Sequence, residues 1–262
     1  MELIRAENIT FAYSRQPVLK NVSLTVHKGE VVSLLGPNGS GKTTLLKVLL
    51  GLYRPESGQV WLDGVKVSDL APKELAGRVA YVPQFHKMAF GYRVLDVVLM
   101  GRLPHKSFFS RYSKVDMDIA LQSLERLSIS HLKDRIYTEI SGGERQLTLI
   151  GRALAQEAKT LIMDEPANGL DYGNQIGLLE RIAALAQEGF TFIKSTHFPE
   201  HALWIADRVI MLQHGVVVAD GTPSEVMSDE AVSGLYHAEI NIVGVNGGFQ
   251  TCIPRAIMKA KI

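Results

Sequence analysis

The sequence has only one cysteine, Cys252, so no disulfide bond can form within the chain. It has no excess of charge of either sign, with 28 Lys and Arg residues against 27 Asp and Glu residues. This balance excludes the broadly basic surface of a DNA-wrapping or heparin-binding protein, and we expect no nucleic-acid partner. The first ten residues lack the basic and then apolar pattern of a signal peptide, which favours the cytoplasm. The longest apolar stretches, Val94–Met100 and Leu203–Leu212, are too short to span a bilayer, so membrane contact requires a partner.

The chain is long enough to bury a full α/β core, with 262 residues of which 46% are apolar. Alternating residues over Leu3–Tyr13 and Val22–Val26 predict an antiparallel opening before a buried strand at Val31–Leu35. A helix is predicted over Thr43–Leu52, and a mostly helical stretch between about Val94 and Ala158. The short apolar runs Thr160–Met163, Thr191–Lys194 and Val209–Leu212 alternate with helical segments, which predicts parallel strands of one doubly wound sheet.

The strongest motif is a glycine-rich loop between the predicted strand at Val31–Leu35 and the helix that follows. It reads Gly36-Pro37-Asn38-Gly39-Ser40-Gly41-Lys42-Thr43 and satisfies the phosphate-loop pattern, with Thr44 next in line. Glycines let the backbone wrap an anion and turn amide groups and a helix N-terminus toward it. We expect Lys42 to reach the β- and γ-phosphates of ATP and Thr43 to bind Mg²⁺.

A pair of acidic residues follows the apolar strand that ends at Met163. Asp164 and Glu165 are expected at the carboxyl edge of the sheet, where phosphates bind in open α/β folds. Asp164 suits Mg²⁺, and Glu165 suits orienting and polarising the attacking water, because phosphoryl transfer depends on a positioned nucleophile. Taken alone, such a pair is more often a helix N-cap region. Beside a phosphate loop, the catalytic interpretation is favoured.

A second possible anion site begins the helix predicted over Gly143–Ala155. Ser141 with Glu144 three residues later forms the pattern of a capping box. Ser141, Gly142 and Gly143 at a helix start are also suited to bind phosphate, and the two interpretations are compatible.

With these motifs in place, the sequence resembles the ATP-binding cassette (ABC) family over nearly its whole length. The segment Ile140–Gln146 is similar to the signature motif of that family, with Ile140 in place of leucine and Glu144 in place of glutamine. The resemblance implies a P-loop NTPase (RecA-like) α/β core, an N-terminal antiparallel β subdomain and an inserted α-helical subdomain. It also implies a head-to-tail homodimer, in which the serine and glycines at 141–143 of one subunit close on the γ-phosphate held by Lys42 of the other.

Four further residues take roles through this resemblance. Gln84 matches the glutamine that contacts Mg²⁺ or water and senses the permease, and His197 matches the switch histidine that holds the γ-phosphate. Tyr13 matches the aromatic residue that stacks on adenine. Asp171 lies in the D-loop position within Asn168–Asp171, where serine or threonine is commoner earlier in the motif. Simpler alternatives are a half-buried strand aromatic for Tyr13, a loop residue for Gln84, a satisfied or surface histidine for His197 and a helix cap for Asp171.

Within the family, the segment Phe90–Arg102 and the phrase Gly151–Gln156 resemble importers for iron complexes, haem, cobalamin and molybdate. In those systems the region after the glutamine receives the permease, so Phe85–Met100 is the expected docking surface. The C-terminal stretch Ile240–Pro254, with a turn at Asn246-Gly247-Gly248, is similar to the closing hairpin of the iron-complex group. A soluble or assembly ABC ATPase of the Fe–S assembly type, or an exporter subunit, is the alternative.

The sequence therefore predicts an ATPase that uses ATP and Mg²⁺ and energises uptake of a metal chelate or oxyanion. Residues 1–239 are expected to form the ATPase domain, with the helical insertion at about 86–158, and 240–262 a C-terminal hairpin and tail. We expect the chain at the cytoplasmic face of the inner or plasma membrane, bound to permease subunits and working indirectly with a solute-binding protein. The solute touches those partners, so this sequence does not identify it.

Overall fold

The structure, a computed structural model, describes residues 1–84, 90–107, 110–245 and 249–259. Its contacts divide the chain into two compact units, Met1–Asp69 with Thr191–Ile262 and Leu70–Phe190. Among the described residues, none of the helices combines the length and apolar composition needed to cross a bilayer. The sequence-based division, with an insertion at about 86–158 and a tail from 240, stays a prediction.

The elements follow one another as a mixture of strands and helices. The strands are β1 Glu2–Tyr13, β2 Gln16–His27, β3 Val31–Leu35, β4 Ser57–Leu62, β5 Val65–Lys66, β6 Val79–Val82, β7 Thr160–Met163, β8 Thr191–Thr196, β9 Arg208–Gln213, β10 Val216–Gly221, β11 Ile240–Gly244 and β12 Gln250–Pro254. The helices are α1 Lys42–Leu49, α2 Pro72–Arg78, α3 Val94–Leu99, α4 Lys114–Arg126, α5 Gly142–Ala155, α6 Tyr172–Gln187, α7 Pro199–Ile205, α8 Pro223–Val226, α9 Asp229–Tyr236 and α10 Arg255–Lys259. Short 3₁₀ turns lie at Val67–Asp69, Met100–His105, Ser130–Leu132 and Tyr137–Glu139.

The first unit opens with an antiparallel sheet of four strands in the order β2-β1-β4-β5. Residues of β1 and β2 alternate between buried and exposed, which is the pattern of a sheet with one face on the core. Ile4 pairs with Val26 on one side and with Leu62 on the other. The predicted antiparallel opening is confirmed.

The same unit contains β3 flanked by parallel strands β8 and β9, with β10 antiparallel beyond β9. All five residues of β3 are buried, as expected for a strand covered on both faces. Leu35 pairs with Thr196, so the loop after β3 and the segment after β8 begin at the same edge. The carboxyl ends of parallel strands therefore present the phosphate loop and His197 together.

The second unit has one parallel pair, β6 and β7, in which Val82 pairs with Met163. Gln84 follows β6 by two residues, and Asp164 follows β7 directly. The helices α3, α4 and α5 pack against one another beside this pair. Arg102 connects these helices. Its buried guanidinium contacts Asp116 in α4, the carbonyl of Ala155 in α5 and Glu157.

One sequence-based boundary differs from the structure. The helix predicted over Thr43–Leu52 ends earlier, at Leu49, because Gly51 adopts a left-handed φ of 65° and its N–H bonds back to the carbonyl of Val48. At the C-terminus, β11 and β12 pair as an antiparallel hairpin. Its predicted turn at 246–248 lies outside the described residues, as do residues 85–89 of the predicted docking surface.

Candidate nucleotide-hydrolysis site

The backbone of the phosphate loop can be built only with glycine at several of its positions. A Cβ at Gly36 would lie 2.2 Å from the carbonyl oxygen of Leu212, so no side chain fits there. Gly39 and Gly41 have φ values of 81° and 106°, in the left-handed region that favours glycine. The sequence spacing of these glycines therefore encodes a specific backbone path between β3 and α1.

Lys42 is the first residue of α1, and its side chain folds back over the loop. The residue is 5% exposed, and its Nζ donates to the carbonyls of Gly36 at 2.8 Å and Pro37 at 3.0 Å. The N-cap, Gly41, supplies no side chain to cover the helix start. A cation and a helix N-terminus thus converge on the loop, which is a site suited to an anion.

Ser40 and Asn38 complete the loop. The hydroxyl of Ser40 is buried and has no hydrogen-bond partner among the described residues, while its carbonyl accepts from the N–H of Gly215 at 3.0 Å. A buried hydroxyl without a partner is costly, and a bound phosphate oxygen would satisfy it. Asn38 is exposed at the loop tip. The loop therefore fits a phosphate ligand by its backbone, its cation and its hydroxyl.

Tyr13 ends β1 on the same unit as the loop and is 46% exposed. Its hydroxyl lies 3.4 Å from the Oγ1 of Thr44 in α1, which ties the aromatic ring to the helix that follows the phosphate loop. Its ring also meets those of Phe11 and Tyr53 edge to face, with centroid separations of 5.0 Å and 5.8 Å. A supported and half-exposed ring in this place can stack on a nucleobase.

His197 follows β8 by one residue and is partly buried. Its ring centroid lies 4.1 Å from that of Phe198. Three residues earlier on β8, Lys194 is 1% exposed, and its Nζ donates to the carbonyl of His201 in α7 at 3.1 Å. Burial lowers the pKa of Lys194 to about 7, and burial together with the charges of Lys194 and His197 lowers the pKa of His201 to about 4.

In the second unit, the structure brings Gln84 and Glu165 together. The amide Nε2 of Gln84 lies 3.3 Å from the Oε2 of Glu165, and the Nδ2 of Asn168 reaches the same oxygen at 3.3 Å. Glu165 is 9% exposed and has a φ of 43°, a left-handed backbone that is rare for a residue with a side chain. Such strain is characteristic of functional sites. The carboxylate is therefore held in one place by two amide donors and by an unusual backbone.

The donor set predicted for Mg²⁺ consists of the Thr43 hydroxyl, the Gln84 amide and the Asp164 carboxylate, all hard oxygen ligands of the kind that Mg²⁺ prefers. Asp164 is 2% exposed, and its N–H donates to the carbonyl of Val82 at 2.9 Å. The described residues contain no cluster of three His, Cys, Asp or Glu side chains that would form an all-protein metal cage. This donor chemistry fits an ion that takes its remaining ligands from phosphate and water.

The predicted capping box at the start of α5 is present. The Oγ of Ser141 accepts from the N–H of Glu144 at 3.3 Å, and the Oε2 of Glu144 accepts from the N–H of Ser141 at 2.8 Å. These bonds with Ser141 lower the pKa of Glu144, which is therefore ionised near neutral pH. Ser141 and Gly142 are exposed, whereas Gly143 is buried. The start of α5 thus presents a helix N-terminus next to a carboxylate.

Asp171 caps α6, which is the simpler alternative weighed for it. Its Oδ1 accepts from the N–H of Asn174 at 2.9 Å, and its Oδ2 accepts from the Nδ2 of the same residue at 2.7 Å. Sequence reasoning missed the contacts of Asn168 and Asn174. Each lies three residues after a predicted site residue, which is the spacing of a turn or a helix cap. That spacing is the only sequence pattern that indicates these contacts.

Comparisons with known proteins show the family of the chain. The model of the ABC transporter family matches residues 19–168. The chain belongs to the ABC transporter family. It is 40% identical over 234 residues to an uncharacterised ABC transporter ATP-binding protein of Haemophilus influenzae, covering 89% of each chain. It is 34% identical to the ferric enterobactin transport ATP-binding protein FepC of Escherichia coli, covering 92% of this chain and 89% of FepC.

Among solved structures, this ABC cassette is similar to an inward-facing transporter described as being of the metal-chelate type. The TM-score is 0.86 at 32% sequence identity, and the match covers 97% of each chain. The fold is thus the P-loop NTPase fold of ABC cassettes with an antiparallel N-terminal sheet, as predicted. ABC cassettes bind ATP, and they work as dimers with membrane permease partners.

Proposed function

We propose that this ABC cassette hydrolyses ATP, with Mg²⁺, in a head-to-tail homodimer that energises uptake of a metal chelate or oxyanion through a membrane permease. The observation that carries the proposal is the carboxylate of Glu165, held by the amides of Gln84 and Asn168 on a strained backbone. A fixed carboxylate next to Asp164, at the end of β7, is what a hydrolytic phosphate site requires.

In this proposal Lys42 and the loop amides bind the β- and γ-phosphates, and Tyr13 stacks on adenine. Glu165 orients the attacking water, and His197 holds the γ-phosphate. Mg²⁺, when bound through Thr43, Gln84 and Asp164, neutralises charge on the phosphates. The serine and glycines at 141–143 bind the γ-phosphate held by the second copy, and Asp171 lies at the subunit interface. These roles rest on the family resemblance and are supported by the local geometry of each unit.

The importer assignment is supported by FepC, whose name describes transport of ferric enterobactin, and by the transporter of metal-chelate type. We place the cassette at the cytoplasmic face of the membrane, bound to permease subunits near Phe85–Met100 and working indirectly with a solute-binding protein. Within the described part of that surface, Phe90 is 69% exposed and meets Tyr92 edge to face at 6.1 Å. Exposed aromatic side chains of this kind favour a protein interface.

The residues that directly follow the described docking segment, Gly101 and Arg102, are packed against α5. A Cβ at Gly101 would lie 2.1 Å from the carbonyl oxygen of Arg152, so the segment after α3 packs directly on the α5 backbone. The adjacent Arg102 donates to the carbonyl of Ala155 at 2.7 Å. Motion of a docked permease would therefore be passed to the helix that begins at Gly142, which supports a mechanical role for this surface.

The test is steady-state ATP hydrolysis by the purified protein and by Glu165→Gln, with size-exclusion chromatography in ATP. We expect turnover by the wild type and an ATP-trapped dimer with little turnover in the variant. Lys42→Ala should instead weaken nucleotide binding itself, measured with a fluorescent ATP analogue. Full hydrolysis by Glu165→Gln would remove the role assigned to this carboxylate.

A further inference from the structure

Asn174 donates hydrogen bonds to both oxygens of one carboxylate, that of Asp171. Its backbone N–H binds the Oδ1 of Asp171, and its side-chain amide binds the Oδ2 of the same residue, at 2.9 Å and 2.7 Å. A charge-assisted pair of bonds from one residue fixes the plane of the Asn174 amide. The amide therefore moves with the loop Asn168–Asp171, which ends at Asp171.

The fixed amide lies against Gly143 in the first turn of α5. A Cβ at Gly143 would be 2.7 Å from the Cγ of Asn174 and 2.9 Å and 3.0 Å from its Oδ1 and Nδ2. These distances are shorter than normal van der Waals contact, so the amide occupies the space that any side chain at position 143 would need. Asn174 itself is exposed. The contact therefore joins an exposed side chain to a buried glycine.

The packing around the contact between Asn174 and Gly143 is looser than the contact itself. A partly open pocket of about 100 Å³ lies between α5 and α6 and is lined by Gly143, Gln146, Asn174 and Gly177 among others. A Cβ at Gly142 would have ordinary contact at 3.9 Å with the carbonyl of Gly169 and with Leu170. The Asn174 amide therefore approaches Gly143 more closely than the loop residues Gly169 and Leu170 approach Gly142.

We infer that Asn174 is a positioning residue for ATP hydrolysis, which transmits displacement of the loop Asn168–Asp171 to the signature glycine Gly143. The inference rests on the proposed function, because it assigns to Gly143 a part in binding the γ-phosphate of the second copy. Asn174 touches no substrate and acts only through the backbone of α5.

The first experiment compares wild type, Asn174→Ala and Gly173→Ala in steady-state hydrolysis and in binding of a fluorescent ATP analogue. Gly173 lies in the same turn of α6, and a Cβ there would meet only the Oδ1 of Asp171 at 3.7 Å. We expect Asn174→Ala to lower kcat by about 3- to 10-fold, since coupling residues of this kind act on that scale. Its affinity for the analogue and its melting temperature should match those of Gly173→Ala, which should behave as wild type.

The second experiment tests the contact between Gly143 and Asn174 directly. Gly143→Ala forces the Asn174 amide off Asp171, because a flexible side chain yields before the backbone does. We expect this variant to lose activity, and we expect Asn174→Ala in the same chain to restore part of it by removing the clash. Such a rescue is the signature of two residues in direct contact.

The possible outcomes distinguish a failure of the positioning role from a failure of the proposed function. If wild type hydrolyses ATP but Asn174→Ala has wild-type kcat, or if Asn174→Ala gives no rescue of Gly143→Ala, the positioning role is wrong. If wild type binds the analogue but does not hydrolyse ATP even with its permease, the proposed function itself is wrong. A fall in kcat with unchanged affinity, together with the rescue, supports the inference.

Discussion

The side-chain amide of Gln84 donates to the carboxylate of Glu165 at 3.3 Å, across two segments that are 81 residues apart in the sequence. The two residues follow neighbouring parallel strands, β6 and β7, so the sheet itself sets their separation. The same amide is also a proposed Mg²⁺ ligand. These two uses of one side chain can be distinguished by experiment.

Gln84→Ala should lower kcat by about 10- to 100-fold, because misplacing a catalytic carboxylate by a fraction of an ångström has effects of this size. Asn168→Ala is the matched variant, since Asn168 donates to the same carboxylate oxygen and is not a proposed metal ligand. Hydrolysis measured against Mg²⁺ concentration checks the interpretation. If only Gln84→Ala raises the Mg²⁺ requirement, the glutamine acts on the metal; if both variants lower kcat alike at saturating Mg²⁺, positioning of Glu165 dominates.

Gly36→Ala should destabilise the protein and abolish nucleotide binding. Its Cβ would lie 2.2 Å from a backbone carbonyl that belongs to β9, and overpacking of this kind costs about 1–3 kcal/mol. Gly77→Ala in the exposed part of α2 is the control, because a Cβ there meets nothing within 4 Å. That variant should gain about 0.5–1 kcal/mol from helix propensity. Urea unfolding of both variants measures the difference, and equal stabilities would contradict the packing argument.

Glu144→Gln should strengthen ATP-dependent dimerisation. In the structure the carboxylate of Glu144 lies 2.8 Å from the N–H of Ser141, at the helix start proposed to receive the γ-phosphate of the second copy. A neutral amide can accept the same hydrogen bond without repelling an anion. Analytical ultracentrifugation in ATP at low and at high ionic strength tests this. The advantage of the variant should shrink as salt screens the charge, and an advantage that is independent of salt would point to another cause.

Lys194→Met should stabilise the protein and remove part of its pH dependence. Burial lowers the pKa of Lys194 from 10.5 to about 7, so between these values the unfolded chain binds more protons than the folded one. The free energy of unfolding therefore rises as the pH increases from about 7 to about 10.5. Below pH 7 the full cost of burying the charge is present, and methionine does not incur it.

The measurement for Lys194→Met is urea unfolding of variant and wild type across this pH range. Cys252 acts in the opposite direction, because burial and nearby carboxylates raise its pKa from 9.0 to about 12. Its effect is to lower the free energy of unfolding as the pH increases from about 9 to about 12. That effect is common to both proteins and cancels in their difference. A constant difference between the two proteins from pH 7 to pH 10 would show that Lys194 does not titrate there.

The phosphate loop could be predicted from sequence because its glycines specify a backbone path locally. The carboxylates after β7 could be predicted because a buried strand and two acids fix their place at a sheet edge. Other features depend on residues far away in the sequence. The reason for glycine at position 36 is a carbonyl at position 212, and the contact between Gly143 and Asn174 requires two helices to be placed. A polar residue in the first turn of a helix is too common a pattern to indicate such a contact.

The left-handed backbone at Glu165 has a practical consequence for protein engineering. Glycine adopts a φ of 43° without the steric cost that a side chain incurs there. A library selected only for heat resistance would therefore enrich Gly at this position and discard the carboxylate. Any thermostabilisation campaign on this cassette would therefore need a counter-screen for phosphate release, because relief of the backbone strain at this position removes the carboxylate proposed to orient the attacking water.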